Sequence, residues 1–228
     1  MKITWIGQAG LVFEGGEGAT VILDPYLSNS VERFEPHNYR RKPIDERFLS
    51  VNPDFLIFTH NHLDHYDPDT APVYLGRDHH ITVLAPRSAY NEARKNGGVH
   101  NYIQFDPETE WTEKGIRFTA VKAVHSDVYA IGVIIEELST GERYYVTGDT
   151  LYNGGVFDSL PDDILAVFLP INGVGNNMNV SDAERFAERT GARYAVPIHF
   201  GMFDEIDPTE FGVKNRVIPE IYKEIRFK

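Results

Sequence analysis

A chain of 228 residues, 42% hydrophobic and 25% charged, has the make-up of a globular domain and is long enough for one substantial core. Its 34 acidic and 22 basic residues give a net charge of −12, which offers long nucleic acids no basic footprint, and no apolar run approaches the roughly 20 residues that span a bilayer. With no cysteine there is neither disulfide nor thiolate, so a metal site in this chain has to be built from His, Asp and Glu.

The N-terminal stretch Met1-Lys2-Ile3-Thr4-Trp5-Ile6-Gly7 enters strand-like sequence at once, without the apolar segment of a signal peptide, and the expected location is cytoplasmic. Strands are expected at Lys2–Ile6, Leu11–Glu14 and Thr20–Leu23, parted by glycine-rich turns such as Glu14-Gly15-Gly16. A long polar loop follows from about Ser28 to Arg47. Phe55–Phe58 and Ile81–Leu84 read as short buried strands, and Ser88–Lys95 as a helix stopped by Asn96-Gly97-Gly98. Over Ile116–Val124 the apolar residues keep a period of two, broken only by Lys122. Val128–Glu136 and Arg143–Thr147 flank Thr140-Gly141 as a hairpin, and Ile164–Leu169 is a further apolar run.

Ser181-Asp182-Ala183-Glu184 reads as a capping box, with Ser181 as N-cap and Glu184 at the third helical position. Ala183, Phe186 and Ala187 then recur at helical spacing. Tyr194–Ile198 closes the series as a strand. No linker, repeat or shift in composition marks a second domain, so residues 1–228 are expected to form one domain of sheets covered by helices.

Directly after the Phe55–Phe58 run stand His60-Asn61-His62-Leu63-Asp64-His65. Three imidazoles and a carboxylate in six positions suit a divalent transition metal, although a solvated histidine-rich loop has the same composition. In extended backbone His60 and His62 point to the same side, and Asp64 and His65 can reach a second ion close by. Polar residues recur at matching places elsewhere. Asp24, His125, Asp149 and His199 each follow an apolar strand, where sites are usually assembled. Each alone would be a turn residue or a structural histidine; their joint occurrence points to a metal centre.

These motifs, with Trp5-Ile6-Gly7-Gln8-Ala9-Gly10, Asp24-Pro25-Tyr26-Leu27, His125-Ser126, Thr147-Gly148-Asp149-Thr150, Asn177-Met178 and His199-Phe200-Gly201-Met202-Phe203, resemble the metallo-β-lactamase-fold hydrolases, and within them the group of ascorbate-6-phosphate lactonase. The resemblance implies an α/β (α+β) four-layer αββα sandwich, two mixed sheets flanked by helices. It implies a dinuclear centre in which His60, His62 and His125 bind one divalent ion, Asp64, His65 and His199 bind the other, and Asp149 bridges them. Asp24 would hold the metal loop by hydrogen bonds. Zinc or manganese are the expected metals, with iron also compatible. A water shared by the two ions and deprotonated near neutral pH would open a small ester or lactone, a sugar-phosphate lactone among the candidates. The alternative is a phosphodiesterase acting on a small phosphodiester or cyclic nucleotide. Asp64 is the candidate catalytic residue, either assisting proton transfer or acting as a ligand alone.

Selection of the substrate is expected to fall to loops without ligands. Arg33, His37, Tyr39, Arg40 and Arg41 are candidate anion contacts, and Asn177 a candidate hydrogen-bond partner in the Asn172–Asn179 loop. His79, His80 and His100 are expected at the surface, and Trp5 and Trp111 in packing roles. The expected partners are a small-molecule substrate and a second copy of the chain, with no long nucleic acid and no membrane.

Overall fold

The first strands are apolar on both faces: Leu11, Phe13, Val21, Leu23, Phe55 and Ile57 alternate with Val12, Ile22 and Leu56, and all are buried. A sheet made of such strands has to be covered on both sides. The computed structural model, which describes residues 1–227, shows how; Lys228, the last residue of the expected domain, lies outside the described residues.

Thirteen strands among the described residues form two mixed sheets. The first contains β1 (Lys2–Gly7), β2 (Gly10–Gly15), β3 (Ala19–Leu23), β4 (Phe55–Ile57), β5 (Thr82–Ala85), β6 (Asn101–Gln104) and β13 (Glu224–Ile225), in the order β13-β1-β2-β3-β4-β5-β6. The second contains β7 (Glu110–Glu113), β8 (Ile116–Lys122), β9 (Ile131–Glu137), β10 (Glu142–Val146), β11 (Ile164–Pro170) and β12 (Tyr194–Ile198), in the order β12-β11-β10-β9-β8-β7. Strands β3 to β6 run parallel, as do β10 to β12, and the remaining pairs are antiparallel.

The sheets meet face to face through aromatic contacts such as Phe55 with Phe118, ring centroids 4.8 Å apart, and Phe13 edge-on to Phe168 at 5.9 Å. Tyr74 and Leu75 of the helix Ala71–Leu75 and Ala89 of the helix Arg87–Ala93 cover the outer face of the first sheet, packing with Ile22, Leu56 and Val83. The helix Val180–Thr190 covers the second sheet with Ala183, Phe186 and Ala187. This is the four-layer αββα sandwich. No helix among the described residues is long and apolar enough to cross a membrane.

Several expectations need correction. The helix at 180–190 begins one residue before the expected cap: Asn179 is the N-cap, its Oδ1 accepting from Asp182 N–H at 2.9 Å. Asparagine caps at least as well as serine, and Asn179 lies one turn before the first buried apolar position. Glu184 accepts instead from Gly212 N–H at 2.5 Å. The long polar loop carries two short helices, Ser30–Phe34 and Glu46–Leu49. Strand β9 starts at Ile131, three residues later than expected, because Ala130 N–H closes a turn onto the Asp127 carbonyl. Edge strands β6 and β7 and the two-residue β13 differ from the expectation; β7 alternates exposed and half-buried residues, and β6 has two half-buried residues between exposed polar ones. Trp5 is buried against Phe200 and Trp111 is half-buried against the core, both packing residues.

Candidate metal centre

Direction of travel brings the polar residues together. Strands β1, β3 and β4 share one direction in the first sheet, and β8, β10 and β12 share one in the second. Gln8, Asp24 and the His60–His65 loop therefore leave one edge of the first sheet. His125, Asp149 and His199 leave one edge of the second. The turns are tied across the two sheets, Ile131 N–H to the Thr59 carbonyl at 3.0 Å and His199 N–H to the Gln8 carbonyl at 2.9 Å. Gly148 turns the chain into Asp149 at φ +60°, and a Cβ there would stand 2.5 Å from the Ile131 carbonyl oxygen.

Three groups of side chains present ligand atoms within 4.8 Å of one another: His60, His62 and His125; His60, His65 and Asp149; and Asp64, His65 and His199. His125 Nε2 lies 3.1 Å from His62 Nδ1, and His65 Nε2 lies 3.3 Å from His199 Nε2. Two nitrogens each about 2.0–2.1 Å from one ion stand ~3.3 Å apart at a tetrahedral angle, so these separations fit shared cations. Asp149 faces both halves. Its Oδ1 is 3.2 Å from His65 Nε2 and 3.4 Å from His199 Nε2, and its Oδ2 is 3.9 Å from His125 Nε2. His60 Nε2 is buried and has no hydrogen-bond partner, an arrangement costing about 1–3 kcal/mol unless a ligand satisfies it. The residues fit a metal centre on these grounds.

Around the ligands lies a shell of hydrogen bonds. Fully buried Asp24 accepts from Thr59 N–H at 2.8 Å, Thr59 Oγ1 at 2.5 Å and His65 Nδ1 at 2.7 Å. This leaves His65 Nε2 facing the site. Asn177 donates to Asp149 Oδ2 at 2.8 Å, and Thr150 Oγ1 accepts from Val124 N–H at 2.9 Å, which joins the loops of Asp149 and His125. Two members escaped the sequence reading. Gln8, buried and at φ +51°, donates to Asp64 Oδ2 at 2.8 Å. Its signal was available, since it follows β1 as Asp24 follows β3. Asp127 accepts from Ser88 Oγ at 2.5 Å and Asn61 N–H at 3.3 Å, clamping the histidine loop to the far side of the site. Nothing local in the sequence marks it.

Charge follows from this packing. Burial opposes a proton on His65, but Asp149, Asp24 and Asp64 around it raise its pKa well above the ordinary imidazole value. Burial likewise opposes His199, and Asp149 and Asp64 outweigh it, lifting the pKa to about 10. His60 and His125 move the other way, through burial first and neighbouring imidazoles second. Asp64 and Asp149 are held below the carboxylate range: burial works against this, and His65 and His199 overcome it.

The site opens into a cleft of about 690 Å³ bordered by Gln8, His62, Asp64, Asp149, Asn177 and His199. Of the expected substrate contacts, Asn177 lines this cleft and Arg33, Tyr39 and Arg40 do not. Arg33 pairs with Asp69 at 2.9 Å, and Tyr39 is exposed under the Arg41 guanidinium. Arg40 donates to the Tyr26 and Ser28 carbonyls and lies over the Tyr26 ring, so it braces the loop. His37 is exposed and also outside the cleft. Away from the site, His80 is exposed, and His79 and His100 are half-buried, each within hydrogen-bond distance of a backbone carbonyl.

Comparison with known proteins places the chain among relatives. The profile of the beta-lactamase superfamily domain matches residues 19–200. A UPF0173 metal-dependent hydrolase of Methanospirillum hungatei is 30% identical over 238 residues, covering 93% of this chain and 89% of its own length. A UPF0173 protein of Pyrococcus furiosus is 29% identical over 213 residues, covering 92% and 89%. The solved structure of a metallo hydrolase from Ignicoccus hospitalis superposes with a TM-score of 0.78 at 19% identity, covering 100% of this chain and 99% of that one.

Proposed function

The chain belongs to the β-lactamase superfamily and, within it, to the UPF0173 metal-dependent hydrolases; on that premise we propose that it hydrolyses a small carboxylic ester or lactone at a centre of two divalent cations. We assign His60, His62 and His125 to one cation, Asp64, His65 and His199 to the other, and Asp149 to both. Zinc and manganese suit this donor set, and iron is compatible with it. The observation that carries the reading is Asp149, whose two oxygens face separate groups of imidazoles in one cleft. When bound, the cations supply Lewis acidity, which acidifies water and stabilises negative charge on the oxygen of the scissile group.

The chain's own residues set the geometry for that chemistry. Asp24 fixes the tautomer and direction of His65, and Asn177 holds one oxygen of Asp149. Gln8 steadies Asp64 through Oδ2. Asp64 borders the cleft, so its carboxylate meets the substrate, and we assign it the transfer of a proton from the attacking water to the departing oxygen. Asn177 also borders the cleft while its amide group holds Asp149.

The test is elemental analysis of the purified protein joined to a substrate screen. Stripping the metal abolishes turnover and one of zinc, manganese or iron restores it. A panel of lactones, esters and phosphodiesters shows the carboxylic substrates to be the faster, the phosphodiesters being included because the same ligands can serve attack at phosphorus. His62→Ala lowers metal content and turnover together. Full activity after chelation, or unchanged metal content in His62→Ala, overturns the assignment.

A further inference from the structure

The walls of the cleft carry a charge pattern that the metal ligands do not require. No lysine or arginine among the described residues lines it, whereas Glu35 and Asp204 do, in addition to Asp64 and Asp149. The same cleft is also lined by the apolar side chains of Val31, Leu63, Val174 and Phe203. The nearby arginines are committed elsewhere. Arg33 is paired with Asp69, Arg40 donates to two backbone carbonyls, and Arg41 donates to the Phe203 carbonyl. None is free to swing in without giving up those partners.

Charge balance at the centre points the same way. Two divalent cations held by Asp64 and Asp149, with Asp24 behind His65, would retain little net positive charge, and the reacting oxygens would draw on it. A second, permanent anionic group on the substrate would have no cationic partner from the chain and would face Glu35 and Asp204. Glu35 is positioned for this: it is exposed, and its Oε2 accepts from Asn38 Nδ2 at 2.6 Å. Asp204 is tied into its own turn, with Oδ1 accepting from the N–H groups of Gly201 and Ile206.

Building on the hydrolase reading above, we infer that the cleft selects an uncharged ester or lactone with an apolar substituent, and that Glu35 is a specificity-determining residue that turns away substrates bearing a further anionic group. A phosphorylated sugar lactone, one of the classes raised by the sequence, is of the kind this cleft rejects.

The test uses the metal-loaded full chain and three nitrophenyl esters whose acyl groups end in a tert-butyl, a trimethylammonium or a carboxylate group. The kcat/KM of the carboxylate ester falls about tenfold or more below that of the tert-butyl ester, and the trimethylammonium ester is at least as good as the neutral one. Glu35→Gln raises the ratio of anionic to neutral kcat/KM by about threefold, and added salt raises it in the wild type by screening the same repulsion. Calorimetric binding of the three corresponding amides, which resist hydrolysis, shows the same order. An anionic ester turned over as well as the neutral one, or a ratio untouched by both Glu35→Gln and salt, overturns the inference. Failure of every ester overturns the hydrolase reading instead, and binding of the amides then still decides the charge preference.

Discussion

Gln8, Asp24 and His199 each stand one residue beyond a strand, at φ of 51°, 44° and 59°. Side chains in this region cost about 1–3 kcal/mol apiece, so the surrounding contacts must hold them there. What the strain achieves is direction: a left-handed residue breaks the strand's alternation and swings its side chain across the sheet edge. Asp24 shows the consequence most plainly, because its three hydrogen bonds fix both Thr59 and His65. Asp24→Asn keeps the size but can no longer accept from all three donors. The expected outcome is a roughly 10–100-fold loss of metal affinity with little change in the far-ultraviolet circular dichroism spectrum, read by competition with a chromogenic chelator. Wild-type affinity in that variant would remove Asp24 from the role.

Elements matter through where they end. Strands that share a direction deliver their following residues to one edge of each sheet, and the two edges meet, which is why ligands 134 positions apart, His65 and His199, reach one group. The helix Val180–Thr190 serves the same end from outside. It anchors Phe186 against Phe157, ring centroids 4.7 Å apart, and its cap residue Asn179 closes the loop that carries Asn177 to Asp149. Asn179→Ala should lower stability by about 1 kcal/mol in urea denaturation, and Ser181→Ala by less than about 0.5 kcal/mol. Equal losses, or the reverse order, would return the cap to Ser181.

For the whole molecule the buried charge cluster couples folding, protons and metal. Before a cation binds, His65 and His199 keep protons at pH 7, while His60 and His125 are neutral. Ligation needs neutral imidazoles, so loading releases about two protons per chain near pH 7, and affinity rises with pH until these groups are neutral. Calorimetry in buffers of different ionisation enthalpy measures the count, and a value near zero would contradict it. The stability of the chelated protein follows the same shifts with defined sign. Raised imidazoles stabilise fully below their ordinary pKa of about 6.5, and His199 loses its share as pH climbs through about 10. The depressed carboxylates stabilise above about 3.8 and lose their share as pH falls through their lowered values. His60 and His125, whose pKa values are lowered, work the other way and withdraw stability as pH falls below about 6.5, so the cluster contributes most near pH 6.5.

Local chemistry made much of this legible in advance. Strand β12 is legible to the residue, and the cores of β1, β3, β8 and β11 to within one or two, because continuous apolar runs and, in β8, a period of two are properties of neighbouring residues. The donor-rich loop at His60–His65 announced a metal by composition, and the strand-following positions of His125, Asp149 and His199 belonged to the same pattern. Edge strands β6 and β7 were hidden, since half-exposed strands carry weak periodicity. Asp127, the engagement of Arg40, and the acidic, arginine-free wall of the cleft were hidden for another reason. Each depends on which distant segments pack together. The sequence by itself determined which groups could hold a metal and which strands would be buried, because ligand chemistry and apolar alternation are properties of neighbouring residues. Only the tertiary structure decided which basic side chains face the substrate and which are spent on backbone carbonyls, because that choice is made by contacts between segments far apart along the chain.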